Sequence, residues 1–204
     1  MNEGLKNVSD FRELLCRRRS IRHFSDQPVA SSLIEEVVRC AATAPSGANK
    51  QPWRFVCVRE PELKKKIRMA AEVEEREFYA SRATEQWRDD LAPLGTDADK
   101  SFLEVAPWLV VVFKLMKGDD GGNVYYADES VGIATGMLLA AAQVAGLATL
   151  THTPSPMKFL GEVLGRPSNE RAYMLIPIGW PAIDGHVPVA ALCKKPLREV
   201  MVKL

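Results

Sequence analysis

The sequence predicts an α+β fold, with helices and strands in irregular order around one core. Three observations carry that reading. At 204 residues and 22.6 kDa the chain is long enough for one substantial core and demands no second domain. Hydrophobic residues are 47% and charged residues 26% of it, the balance of an ordinary globular protein rather than of a disordered or fibrous one. Helical and strand-forming segments also follow one another without the regular alternation of a wound parallel sheet. No internal repeat, linker or low-complexity stretch divides residues 1–204, which read as a single domain.

The elements follow in order. Asp10 with Glu13, and Ser32 with Glu35, show the offset of a capping box, which predicts helices over about residues 11–19 and 33–43. The bend APSGANKQP then leads into WRFVCVR, whose alternation predicts a strand. Pro61 opens a long charged helical stretch toward Leu91, interrupted by PLGTDAD. WLVVVFKL, from Trp108, is nearly all apolar and is expected at the centre of the sheet. Residues 118–122 form a flexible loop, and residues 125–145 a helix whose small residues permit close packing against another helix or a subunit partner. ATLTHT and AYMLIPIGW supply two more strands around the short helix MKFLGEVLG. The tail HVPVAALCKKPLREVMV has the proline spacing of an extended arm.

Several function classes are disfavoured. A formal charge of +1 leaves no basic field to hold a nucleic acid. The apolar run at residues 131–150 is broken by Thr135 and Gln143 and reads as a buried helix rather than a bilayer span. MNEGLKNVSDFREL lacks the apolar segment of a secretory signal, so a cytoplasmic location is expected. Cys16, Cys40, Cys57 and Cys193 are scattered without a C-x-x-C pair, which argues against zinc and against a disulfide framework. Each reads as a buried or partly buried thiol.

Two stretches could carry chemistry. CRRRSIRHF gathers Arg18, Arg19 and Arg22 around Ser20 where the first helix ends. Guanidinium groups fork onto phosphate oxygens, but cations are also stabilised by the dipole at a helix C-terminus, and the cluster alone does not decide. In the bend, Pro45 fixes one backbone angle, Gly47 permits close approach of a ligand, and Ser46 and Asn49 set short polar groups beside exposed amides. A flat ring edge with several acceptors fits there, and so does ordinary turn chemistry. Neither G-x-G-x-x-G nor G-x-x-x-x-G-K-[ST] occurs.

Taken in order, RRRSIRHF, APSGANKQPWRFV, LATLTHTP and CKKPL resemble the nitroreductase superfamily of flavin enzymes over nearly the entire chain. Within it, APSGANKQPW, EEREFY with QWRDDL, LGRPSNE and KKPLREVMV are most similar to the iodotyrosine deiodinase branch. The resemblance implies a nitroreductase-like mixed sheet flanked by helices, in an interlocked homodimer with extended C-terminal arms and FMN between the subunits. It assigns Arg18, Arg19, Ser20, Ile21 and Arg22 to the flavin phosphate and ribityl chain. Ser46 and Gly47, from the other subunit, fall at the ring, and Thr151, His152 and Thr153 beside N5. Lys194 stands where the family has a phosphate-binding arginine; an ammonium keeps the charge but loses the fork, and Lys195 is the alternative. His152 replaces a threonine and is expected to be a loop histidine with a satisfied hydrogen bond.

The same resemblance implies the substrate site. Glu75 and Tyr79 lie on one helical face; alone, EVEEREFY reads as a solvated charged surface. A free amino acid offers complementary groups, its ammonium to Glu75 and its carboxylate to Tyr79 and Lys100. Family likeness supplies Lys100, the Ala48 amide facing the substrate phenolate, and the retained Trp87 and Asp90 of a lid. The implied reaction is reductive dehalogenation of a halotyrosine, drawing on an external reductant, NAD(P)H or a reductase. Thr153 is the expected tuning residue, a hydroxyl donor to N5 that favours single-electron steps. No metal or amino-acid nucleophile is required, so Cys57 and Cys193 are poor candidates. A broad NAD(P)H-dependent nitroreductase and a non-catalytic flavin-binding regulator remain the alternatives.

Overall fold

Strand β2 (Trp108–Leu115) is apolar at nearly every position because both of its faces are covered. It pairs antiparallel with β1 (Trp53–Val58) on one side and with β4 (Glu170–Gly179) on the other. The two-residue β3 (Ala148–Thr149) completes the order β1-β2-β4-β3. The computed structural model describes residues 2–204. Among these, the parallel part of the expected mixed sheet is confined to an isolated bridge between Ser20 and Thr149.

Alternation along β2 divides the core in two. Trp108, Val110 and Val112 face helices α2 (Ser31–Ala42) and α6 (Ala127–Val144), joining Ile34, Val37 and Leu138. Leu109, Val111 and Phe113 face the opposite way, toward α3 (Pro61–Glu77), α5 (Phe102–Val105) and α7 (Lys158–Val163), joining Ile67, Leu103 and Leu160. The sheet is thus a central layer with helices on both sides. Among the described residues no helix is long and apolar enough to cross a membrane.

Several local expectations are corrected. Helix α1 (Glu3–Arg17) begins well before residue 11, because the Asn2 side chain accepts from the Gly4 amide at 2.8 Å and caps it. Asp10 and Glu13 therefore lie inside the helix. The Ser32–Glu35 box also fails, since Ala30 is the N-cap of α2 and offers no side-chain bond. The charged helix is not continuous to Leu91. A single π-turn (Phe78–Arg82) ends α3, Ala83 is extended, and Thr84 caps α4 (Glu85–Leu91) by accepting from the Trp87 amide at 3.2 Å. ATLTHT is a strand only at Ala148–Thr149, rejoining the sheet at a bridge from His152 to Leu175. The tail folds locally into a 3-10 turn (Val189–Leu192) and α8 (Leu197–Val200) rather than staying extended throughout. All four cysteines are exposed rather than buried.

Candidate functional site

The bridge at Ser20 joins two of the sequence-predicted site segments. The Ile21 amide donates to the Thr149 carbonyl at 3.0 Å, so residues 18–22 run beside the chain that continues to Thr151, His152 and Thr153. On the outer side of this seam, Arg18, Arg19 and Lys194 line one groove with α1. Arg19 donates to the Arg18 carbonyl at 2.7 Å. Burial, and next the charge of Arg19, lowers the Arg18 guanidinium below its ordinary value. With Arg12 of α1, four cations and no carboxylate line this groove, a donor set suited to a phosphate. The macrodipole position belongs to Arg17, in the last turn of α1.

On the inner side lies a cavity of about 250 Å³, lined among others by Arg22, Glu75, Tyr79, Lys100, His152 and Thr153. Glu75 and Tyr79 project from the end of α3 and the π-turn, one helical turn apart. Lys100 precedes α5, which packs on α3 through Leu103 against Ile67 and Ala71. That packing sets the Lys100 ammonium 3.4 Å from Glu75 Oε2, with the two side chains 7% and 13% exposed. The ammonium also donates to the Asp97 carbonyl. Burial pushes the Glu75 carboxyl up from its ordinary range, and Lys100 opposes that shift. The Tyr79 hydroxyl pairs with Thr96 Oγ1 at 3.1 Å. Phe78 meets Trp87 edge to face at 4.8 Å, which fixes the π-turn against α4.

His152 departs from expectation. Its backbone exchanges two hydrogen bonds with Leu175, both 2.9 Å. The bridge turns its side chain inward while Thr151 and Thr153 stay exposed. The imidazole is 8% exposed, stands edge-on to Phe102, and holds Nε2 at 3.9 Å from Glu75 Oε1. Among the described residues Nε2 has no hydrogen-bond partner, so this is not a satisfied loop histidine. Burial, then the charges of Lys100 and Arg22, push its pKa down to about 3. The ring is neutral at physiological pH.

The bend does not line this cavity. Ser46 Oγ accepts from the Gln51 amide at 2.9 Å, and the Gly47 amide donates to Ser130 Oγ at 3.4 Å. A Cβ on Gly47 would lie 2.7 Å from the Tyr125 carbonyl oxygen, so glycine is required here by packing within the chain and not only by a ligand. Ala48, Asn49 and Gln51 have φ of 50°, 53° and 48°. Each left-handed residue without a glycine's freedom costs about 1 kcal/mol, so the bend is held under strain.

Sequence reasoning passed over Thr96, Phe102 and the Asp97 carbonyl. The first and last sit within PLGTDAD, whose composition marks only a break in the helix; a threonine and aspartates in a loop are the available signal.

The nitroreductase family model matches residues 15–180. An iodotyrosine deiodinase of Haliscomenobacter hydrossis is 49% identical, over 98% of this chain and 91% of the relative. That of Nematostella vectensis is 44% identical, over 98% of this chain and 77% of the relative. A crystal structure of oxidized iodotyrosine deiodinase bound to FMN and 3-iodo-L-tyrosine superimposes with a TM-score of 0.80 at 30% identity, covering 95% of this chain and 97% of that one. The chain belongs to the nitroreductase family, on its iodotyrosine deiodinase branch.

Proposed function

We propose that this protein is an FMN-dependent oxidoreductase that removes halogen reductively from halotyrosines, releasing halide and tyrosine. The observation that carries this reading is the shared cavity, in which Glu75, Tyr79 and Lys100 meet the Thr151–His152–Thr153 segment. An acid, a phenol and an ammonium around one small space match the charges of a free amino acid. Ordinary redox chemistry on a nitroarene needs none of them.

The donor set fits the flavin. Arg18, Arg19 and Lys194 would hold the phosphate, with Lys195 as the alternative to Lys194, and Ser20, Ile21 and Arg22 would follow the ribityl chain. Thr153 would present its hydroxyl to the N5 edge, with Thr151 and His152 beside it. Bound FMN supplies the two electrons that, with one proton, replace halogen by hydrogen. The protein's own residues bind and orient. Glu75 receives the substrate ammonium, while Tyr79 and Lys100 receive its carboxylate. The Ala48 amide meets the phenolate. Helix α4 and the π-turn close over the site as a lid and exclude water, which strengthens each charge-assisted bond.

Ser46, Gly47 and Ala48 reach such a site only from a second copy, because within one chain they lie elsewhere. A homodimer is supported by apolar residues that one chain leaves exposed, Leu5, Val8 and Phe11 on α1 and Val189, Leu197 and Val200 in the tail. We assign residues 1–204 to one domain, the location to the cytoplasm, and the reductant to NAD(P)H or a reductase acting on the flavin.

The test is iodide release from dithionite-reduced, FMN-loaded protein. Diiodotyrosine should lose iodide and a plain iodophenol should not. Equal rates on both would overturn the zwitterion site and favour a broad reductase.

A further inference from the structure

The reaction proposed above uses the backbone neighbourhood of His152 but not its side chain, whose buried ring nitrogen faces a carboxylate in the cavity. We propose that His152 is a positioning residue: its Nε2–H takes up the Glu75 carboxylate when a substrate's own carboxylate draws Lys100 away, aiming Glu75 at the ammonium. This inference rests on the halotyrosine reading and deepens it.

Four observations carry it. First, Nε2 is fully enclosed and without a partner among the described residues. A buried N–H left alone loses the hydrogen bonds it had in water, so nearly all such groups find an acceptor in the working state. Second, the acceptor it faces is Glu75 Oε1 at 3.9 Å, about 1 Å beyond hydrogen-bond length. Rotation of the carboxylate about its last torsion, which is broad in glutamate, closes a gap of that size. Third, Glu75 is committed through its other oxygen to Lys100 at 3.4 Å. Lys100 cannot serve Glu75 and a substrate carboxylate equally, so binding leaves a buried carboxylate short of a donor on the side where His152 stands. Fourth, the groups around the ring fix its state. Glu75 of α3 favours the tautomer with the proton on Nε2, while Lys100 ahead of α5, Arg22 after α1 and the apolar edge of Phe102 keep the ring neutral. A neutral donor supports Glu75 without competing for it against the substrate's ammonium, as an imidazolium would.

The chemical consequence is selective. His152 is called on only when a ligand carboxylate draws Lys100 off Glu75, so ligands without a carboxylate should not sense it.

The test compares FMN-loaded wild type, His152→Leu and His152→Gln at pH 7.5. Binding of 3-iodo-L-tyrosine and of its decarboxylated counterpart, 3-iodotyramine, is read by quenching of bound flavin fluorescence and independently by calorimetry. His152→Leu should weaken 3-iodo-L-tyrosine about tenfold, the loss of one hydrogen bond to a charged group, and leave 3-iodotyramine within about twofold. His152→Gln, which keeps an N–H donor, should recover most of the loss. In a Glu75→Gln background the leucine change should add almost nothing, since the two act as one unit. Equal weakening of both ligands, or no weakening of either, would overturn the role. If the leucine variant does not fold, His152→Met fills a similar volume without a donor and is compared with His152→Gln in the same way. Wild type that binds neither ligand would refute the halotyrosine reading itself, and this inference with it; wild type that binds 3-iodo-L-tyrosine while the variants match it refutes only the role of His152.

Discussion

At the scale of single residues, burial of His152 governs acid behaviour. Its pKa in the fold is about 3, against about 6.5 in an unfolded chain. A depressed value means that the unfolded chain takes up a proton the native one refuses. Stability is therefore whole above about pH 6.5 and falls as the pH drops toward 3, by up to about 1.4 kcal/mol for each pH unit. Glu75 acts in the opposite sense, because burial raises its carboxyl, so a Glu75→Gln background isolates the histidine. In that background urea midpoints between pH 5 and 6.5 should decline with His152 in place and stay nearly level for His152→Leu; parallel slopes would show that the ring titrates freely in the fold. None of this was legible in the sequence. His152 sits between two threonines in what reads as a polar loop, and only the bridge to Leu175 turns it inward. Glu75, Tyr79 and Lys100 were legible for a different reason. Their types match a zwitterion, and family likeness singled them out of a stretch that composition alone marks as surface. The same likeness hid Thr96 and Phe102, which no motif names.

At the scale of elements, the bend before β1 is where sequence and structure inform each other most. Pro-Ser-Gly announced a rigid turn, and three left-handed residues make it one. The reason for Gly47 could not be read from the chain, because Tyr125, which its missing Cβ would strike at 2.7 Å, is distant in sequence. Gly47→Ala should lower stability by about 1–3 kcal/mol, since the obstacle is backbone and cannot step aside. Thermal unfolding measures it; an unchanged midpoint would mean the bend relaxes more easily than its geometry implies. Strand β2 was legible to the residue because covering both faces leaves a continuous apolar run. The end of α3 was not. A π-turn preserves nearly helical spacing of side chains, so residues 61–91 look uninterrupted until the Thr84 cap is recognised. The capping boxes misled in the other direction. Their pattern is only meaningful where the preceding backbone is non-helical, and Asp10 lies inside α1.

At the scale of the whole molecule, one chain supplies the cavity and the cationic groove but leaves the bend away from both. Its α1 and tail meanwhile hold apolar side chains in solvent. We expect sedimentation to give twice the 22.6 kDa mass of the chain. Deleting residues 197–204, which removes Leu197, Val200 and Leu204 but spares Lys194, should shift the protein toward monomer and release flavin. A monomer that retains full flavin would sink the shared-site arrangement. The helices flanking the sheet were legible through the family resemblance, and the central place of β2 through its unbroken apolar run. Which surfaces are unfinished was not, because an exposed leucine in a tail carries no local signature.

The mutual neutralisation of Glu75 and Lys100, 3.4 Å apart in an enclosed space, also works as a filter. A simple fatty acid or a lone amine can satisfy one member only by abandoning the other, and an orphaned charge in such surroundings costs about 3–5 kcal/mol. On the proposed reading, crowds of singly ionised metabolites would thereby be turned away before any ring is inspected, and admission would fall to molecules that bear both signs on one carbon.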